Sequence, residues 1–354
     1  MSIIYIHYAV LAVMLVLTIF AYYRKTHISD NIYLAFILFL SIMWALRPIT
    51  MGSDTIFYVN SFKSHYYTQL SNVPSGREIL FYIFVVIVKF IFNDPRVLFF
   101  SVSIFVNMSL FFLFKEYSRH YALLYCYYLA HFLFLTFNIN ILRQGMASSL
   151  IFVSLISYHR NLSIKSFTLY MSAVLVHLSS IIAIVYHLLF NLKNRLQPKI
   201  VYDLLALIIV VLTFINANIK NLMSIFSQYI HLIPISEILK YRIIQYLSIE
   251  NSANVSFSYY LTILIFLTYS SIRKKTDSVY IGMFAYLVIY AFASTNEILV
   301  RLSFYLWIFE FIAIGRIIDY NRYTRNIMPA LVMLFVIATA AKTYISLTES
   351  GFLK

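Results

Sequence analysis

Asp54, Glu78, Arg143 and His177 stand at breaks between long apolar runs, and together these residue types can carry out a group transfer at an anion. A carboxylate can take a proton from an attacking hydroxyl. A guanidinium fork suits bidentate binding of phosphate oxygens. Asp54 belongs to Arg47-Pro48-Ile49-Thr50-Met51-Gly52-Ser53-Asp54-Thr55, which ends one apolar run and opens a polar stretch. Gly52 permits a tight turn, and Ser53 or Asp54 can cap a helix starting at Thr55. Tyr58 falls four residues after Asp54, on the same helical face. Asp54 therefore reads either as an N-cap on an amphipathic interfacial helix or as a general base.

Asn138-Ile139-Asn140-Ile141-Leu142-Arg143-Gln144-Gly145 closes one run and opens the next. An arginine at an interface can simply snorkel. Lysine would serve that purpose equally, however, and nothing would then explain Arg-Gln-Gly. His177-Leu178-Ser179-Ser180 interrupts another apolar run. It is either a hydrogen-bonded core histidine or, at a broken helix, a group that binds an anion. Arg77 precedes Glu78, and Ser294-Thr295-Asn296-Glu297 precedes Arg301. For Glu297 and Arg301 the plain reading is an ion pair one helical turn apart. Glu310 lies deep in an apolar segment, where an ionisable residue is a functional candidate, and the sequence names no partner for it. His131 and His187 read as structural. No His, Asp and Glu set has metal-ligand spacing and no Gly-rich phosphate loop is present, so neither metal nor cofactor is expected. The single Cys126, inside an apolar run, excludes disulfides and thiolate metal sites.

The elements that must position these residues are membrane helices. Of 354 residues, 62% are hydrophobic and 11% charged, against roughly 25% charged in a soluble domain. Mean hydropathy is +0.83. Apolar runs occupy about 3–23, 31–46, 78–92, 97–114, 120–137, 144–158, 166–190, 200–217, 257–272, 279–293, 299–315 and 327–345. A span needs about 20 apolar residues, with every backbone amide satisfied internally. The expected fold is an all-α polytopic membrane bundle of about ten to twelve apolar segments, forming one domain over 1–354. The net charge of +14 sits in short clusters between runs, as the positive-inside bias expects, which argues against nucleic acid as partner. The first segment has no basic n-region and is followed by Arg24-Lys25, so it reads as a retained span rather than a cleaved signal.

Those basic clusters orient the chain. Arg24-Lys25, Lys115 with Arg119, Arg160 with Lys165, Lys193-Arg195-Lys199, Arg273-Lys274-Lys275 and Arg316-Arg322-Arg325 all read as cytoplasmic. Twelve full crossings would break that pattern. It is restored if 78–96 lies in the interface or re-enters, and if 166–190 is a pair of half-helices turning near His177. Lys89 within the former run supports this, since a charge at the bilayer centre costs about 2.5–3.5 kcal/mol. Residues 47–96 then form an outer loop with interfacial or re-entrant helices, and 218–256 a second long outer loop. In the latter, Tyr229, His231, Tyr241 and Arg242 read as an acceptor platform or as lipid anchors. The polar breaks converge on the outer face.

Gly52-Ser53-Asp54-Thr55 with Tyr58 resembles the G-T/S-D-x-x-x-Y signature of the EpsG-like membrane proteins. Glu78-Ile79-Leu80-Phe81 is similar to a following E-P/I-G/L-F/Y stretch. Ile141-Leu142-Arg143-Gln144-Gly145-Met146-Ala147 is similar to I-R-Q-x-I/L-A, and Val176-His177-Leu178-Ser179-Ser180 to F-H-x-S-A/S. The resemblance runs over roughly residues 5 to 190; Ile79-Leu80 stands where the family has Pro-Gly. It implies a bacterial surface-polysaccharide polymerase of the Wzy type in the inner membrane, active face outward, with a fold akin to C-type glycosyltransferases. It also implies a substrate, an oligosaccharide repeat linked through diphosphate to undecaprenol. A chain-length regulator and a flippase are the implied partners. On this reading Asp54, Glu78 and Arg143 are catalytic. Arg47, Tyr58, Arg77, Gln144, His177 and Arg301 bind substrate. The rival readings are a flippase for the same lipid-linked oligosaccharide, a polysaccharide-modifying membrane transferase, and an export-complex partner with no chemistry.

Overall fold

The computed structural model describes residues 2–24, 26, 28–52, 54–64, 78–186, 203–204, 206–208, 257–273, 277–293, 297–320, 334 and 336–344. Among them all regular structure is helical. The chain runs through α1 (Ser2–Arg24), α2 (Asp30–Ala45), α3 (Thr55–Lys63), α4 (Ile79–Phe92), α5 (Pro95–Tyr117), α6 (Tyr121–Ala130) and α7 (Phe132–Leu135). A π-helical turn (Thr136–Asn140), α8 (Leu142–His159), α9 (Ser163–Val176) and a 3-10 turn (Leu178–Ala183) follow. After residues outside the description come α10 (Phe257–Ile272), α11 (Ser278–Ala293) and α12 (Glu297–Tyr320). The long loop 218–256 lies outside the described residues.

Local chemistry sets several boundaries. Ser29 caps α2, its Oγ accepting from the Asn31 amide at 3.3 Å. Asp94 caps α5 by accepting from the Arg96 amide at 2.8 Å, with Pro95 at the first helical position. Asn93, at φ 49°, ends α4 in the left-handed conformation, so only Asn93-Asp94 joins α4 to α5.

Two compact units form: Met1–Ile181 with Ile318–Lys354, and Ile182–Ile317. In the first, α5 is the hub and packs on α2, α3, α4, α6 and α8. Its Val106, Leu110, Leu113 and Phe114 are buried. The α8 helix packs on α5 and α9, and among its buried residues are the small Gly145, Ala147, Ser148 and Ser154, a type that lets backbones approach closely. Ser154 Oγ donates to the Ser166 carbonyl at 2.7 Å, across the α8–α9 seam.

Large apolar side chains remain exposed along α1 (Val13, Val16, Phe20), α4 (Ile87, Phe90, Ile91) and α9 (Ile164, Phe167, Met171). Hydrocarbon solvates such stripes, water does not. Among the described residues two helices, Ile3–Arg24 and Pro95–Tyr117, are long and apolar enough to cross a membrane. A third span results if Tyr121–Ala130 and Phe132–Asn140, bent by 73° at His131, count together. The helical class holds, and several of the remaining described apolar helices are shorter than a full span. Where the described residues cover the apolar runs they are helical, but α2, α4 and α9 have only 16, 14 and 14 residues. At 1.5 Å per residue, α4 reaches roughly 21 Å against a core of about 30 Å.

The ends of the first unit differ in character. At one end Lys115 pairs with Asp30, which also accepts from the Tyr121 hydroxyl at 2.7 Å. Beside them Arg160 and His159 meet Glu116 at 2.6 and 3.1 Å. At the other end lie the turn into α3, the starts of α4 and α8, and the C-terminus of α9. The α4 helix leaves from that end at Glu78, and by Phe99 the chain is back under Arg47.

In the second unit α10 packs on α11. A Cβ on Gly282 would fall 2.2 Å from the Phe309 ring, so α11 and α12 meet at a glycine. Glu310 is 2% exposed and accepts from Thr262 Oγ1 and Trp307 Nε1, both at 2.5 Å. These are the partners the sequence could not supply.

Candidate functional site

The turn ahead of α3 is built on Gly52. Its φ of +94° lies in the region that favours glycine. A Cβ there would also fall 2.5 Å from Ile139 Cγ2 and 2.6 Å from Asn140 Oδ1. The turn is therefore pressed against the π-helical turn 136–140. Asp54 occupies the N-cap position of α3, yet its side chain makes no capping hydrogen bond. Its carbonyl accepts from the Tyr58 amide at 3.0 Å, which places Tyr58 one turn on.

Arg143 is presented by that π turn. Asn138 Oδ1 accepts from Ser103 Oγ at 2.6 Å and from Asn107 Nδ2 at 3.2 Å, while Asn138 Nδ2 donates to the Phe134 carbonyl at 2.6 Å. The Ile141 amide bonds the Thr136 carbonyl, five residues back, at 3.1 Å. The wide turn brings the chain into α8 with Arg143 in its first turn. Gly145 lets α8 lie against it, since a Cβ would sit 2.9 Å from the Phe137 carbonyl.

Four segments now meet. Arg143 Nη1 donates to Glu78 Oε2 at 2.7 Å, and the His177 Nδ1–H donates to Glu78 Oε1. His177 owes its place to the end of α9: it is extended, at φ −154° and ψ 114°, between the last α-turn and the 3-10 turn. This is the break that the apolar run 166–190 suggested. Arg143 also faces the buried Tyr58 hydroxyl, and Asp54 lies within electrostatic reach of it. The Phe81 ring packs edge-on against Tyr58, its centroid 6.2 Å away, which ties α4 to α3. The side chains of Arg143, His177 and Glu78 are 40%, 25% and 19% exposed, so the cluster is open to one side.

Burial works to raise the Glu78 pKa, but the hydrogen bond and charge of His177 and the charge of Arg143 outweigh it and hold the carboxyl below its ordinary 4.5. Burial and the nearby Asp54 keep Tyr58 a phenol, against the opposing pull of Arg143. One carboxylate thus holds a guanidinium and an imidazole N–H side by side, two donors suited to an oxyanion ligand.

Of the remaining expected residues, Gln144 is 3% exposed. Arg47 does not join the cluster: it is 2% exposed and its guanidinium faces protein groups. Arg301, exposed, lies in α12 of the second unit. Arg77 and the residues 294–296 lie outside the described residues, as do His187 and 218–256. Among the described residues no group of three or more His, Cys, Asp or Glu could hold a metal ion. The π turn and its Ser103–Asn107–Asn138 network were missed by sequence reasoning. Their signal was the pair Asn138 and Asn140, flanking Ile139 at the end of an apolar run.

Residues 30–354 match the model of the EpsG family. No curated protein and no solved structure matches the chain.

Proposed function

The chain belongs to the EpsG family, and on that premise we propose that it polymerises a surface polysaccharide of the O-antigen type. In this reading it is a membrane glycosyltransferase that crosses the bacterial inner membrane several times, with the Glu78 end facing outward. The donor is the growing glycan on undecaprenyl diphosphate. The acceptor is a hydroxyl of the next lipid-linked repeat unit.

The observation that carries the reading is Glu78 bridging Arg143 and His177 beside Tyr58 and Asp54. In the reaction the acceptor oxygen bonds to the anomeric carbon of the donor and the carbon–oxygen bond to diphosphate breaks. Undecaprenyl diphosphate leaves with the bonding electrons. Arg143 and His177 hold the diphosphate as its charge develops, each charge-assisted hydrogen bond contributing about 1.5–3 kcal/mol. Glu78, already paired to both, orients them and makes a poor base. Asp54, whose side chain does not cap α3, takes the acceptor proton. Tyr58 lines the approach between them. Arg77, Gln144 and Arg301 remain proposed substrate contacts, and a chain-length regulator and flippase the proposed partners.

The test is genetic and chemical at once. Loss of the gene should leave glycolipid bearing a single repeat unit. Absence of any surface repeat would instead mean a flippase.

A further inference from the structure

We infer that Arg47 is a positioning residue that holds the Asp54 turn against the π-helical turn presenting Arg143. The inference rests on the proposed roles of Asp54 and Arg143. The Arg47 guanidinium ties together segments far apart in sequence. Nη1 donates to the Trp44 carbonyl at 2.8 Å, at the end of α2. Nη2 donates to Thr55 Oγ1 and to the Ile139 carbonyl, each at 3.2 Å. The cation also lies over the Phe99 ring of α5, 4.3 Å from its centroid. Thr55 Oγ1 in turn contacts the Met51 and Ile139 carbonyls at 2.7 and 3.3 Å.

These contacts explain the close approach at Gly52. Within the π turn the Ile139 carbonyl accepts from Arg47, which supplies a charged donor, and from Thr55 Oγ1. Asp54 is one residue before Thr55, and Arg143 four after Ile139. The distance between proposed base and proposed anion ligand is thus set through one buried side chain. Lysine could keep the charge but not the planar fork that meets three acceptors on two nitrogens.

The test uses the full chain in lipid nanodiscs with spin labels on Phe57→Cys and Met146→Cys. Cys126 is fully buried and spared by the label. Arg47→Lys, and Thr55→Val as the milder variant, are compared with the parent. The inter-label distance distribution should broaden in both. Turnover of a synthetic undecaprenyl-diphosphate-linked repeat unit should fall about 10- to 100-fold per folded molecule, with KM within about threefold. An unchanged distance distribution would overturn the inference. So would a broadened one with normal turnover per folded molecule, which would mark Arg47 as merely structural. The underlying reading is tested separately: if Asp54→Asn and Arg143→Gln keep full turnover, that reading fails whatever the distances show.

Discussion

Each carboxylate oxygen of Glu78 has its own donor, Arg143 for one and His177 for the other, and this divides the labour at the site. Arg143→Ala and Asp54→Ala should abolish long polymer on a polysaccharide gel while the protein still inserts. Arg143→Lys should lose about 10-fold or more, because a point charge replaces a bidentate fork. Glu78→Gln replaces one of the two acceptor oxygens by an NH2 and removes the charge; losing one charge-assisted bond of about 1.5–3 kcal/mol predicts a turnover drop of roughly 10- to 100-fold. The pH dependence follows from the same pairing. The folded-state pKa of Glu78 is lowered, so its contribution to stability is fully present above 4.5 and is lost as pH falls through the depressed value. Thermal melts of wild type should therefore show an extra loss of stability below pH 4.5 that is missing in Glu78→Gln.

At the scale of elements, the irregular pieces carry the site: the Gly52 turn, the π turn and the break at His177. Gly52→Ala should destabilise by at least about 1–3 kcal/mol, since it meets both a positive φ and atoms at 2.5 and 2.6 Å. A melt of the purified variant measures this; a melting temperature equal to wild type would show that the turn can move away. Asn138→Leu should cost about 1–3 kcal/mol by leaving the Ser103 and Asn107 groups without their acceptor. Much of this was readable beforehand. Gly52, Asp54 and Tyr58 announced a turn and a helix face, and Ser179-Ser180 after His177 announced a break. The π turn was not readable, because one extra residue per turn leaves no mark in an apolar pattern of about 3.6 residues. Nor was the burial of Arg47. An arginine after a span reads as snorkelling or ligand binding, and only tertiary structure reveals the Trp44 and Ile139 carbonyls and Thr55 Oγ1 that bury it.

For the whole molecule, apolar patterning located the described helices closely, and the charge clusters already required that not every run cross fully. Hydropathy reports composition, whereas spanning depends on length, and α4 and α9 are short. Both have one end at the Glu78–His177 contact, where a lipid diphosphate at the membrane edge would meet its ligands. The basic clusters, which oriented the chain from sequence, are partly engaged at the opposite end by Asp30 and Glu116. External labelling of a cysteine placed at position 117 would contradict the proposed orientation. The central claim is that one cluster polymerises lipid-linked repeats, and a purified-component assay tests it most directly. Supplied only with a defined undecaprenyl-diphosphate-linked repeat unit, the wild-type chain should build a ladder and release undecaprenyl diphosphate. Asp54→Asn and Arg143→Gln, equally folded, should yield the starting unit alone. Ladders of wild-type length from either variant, or none from the wild type, would contradict the account.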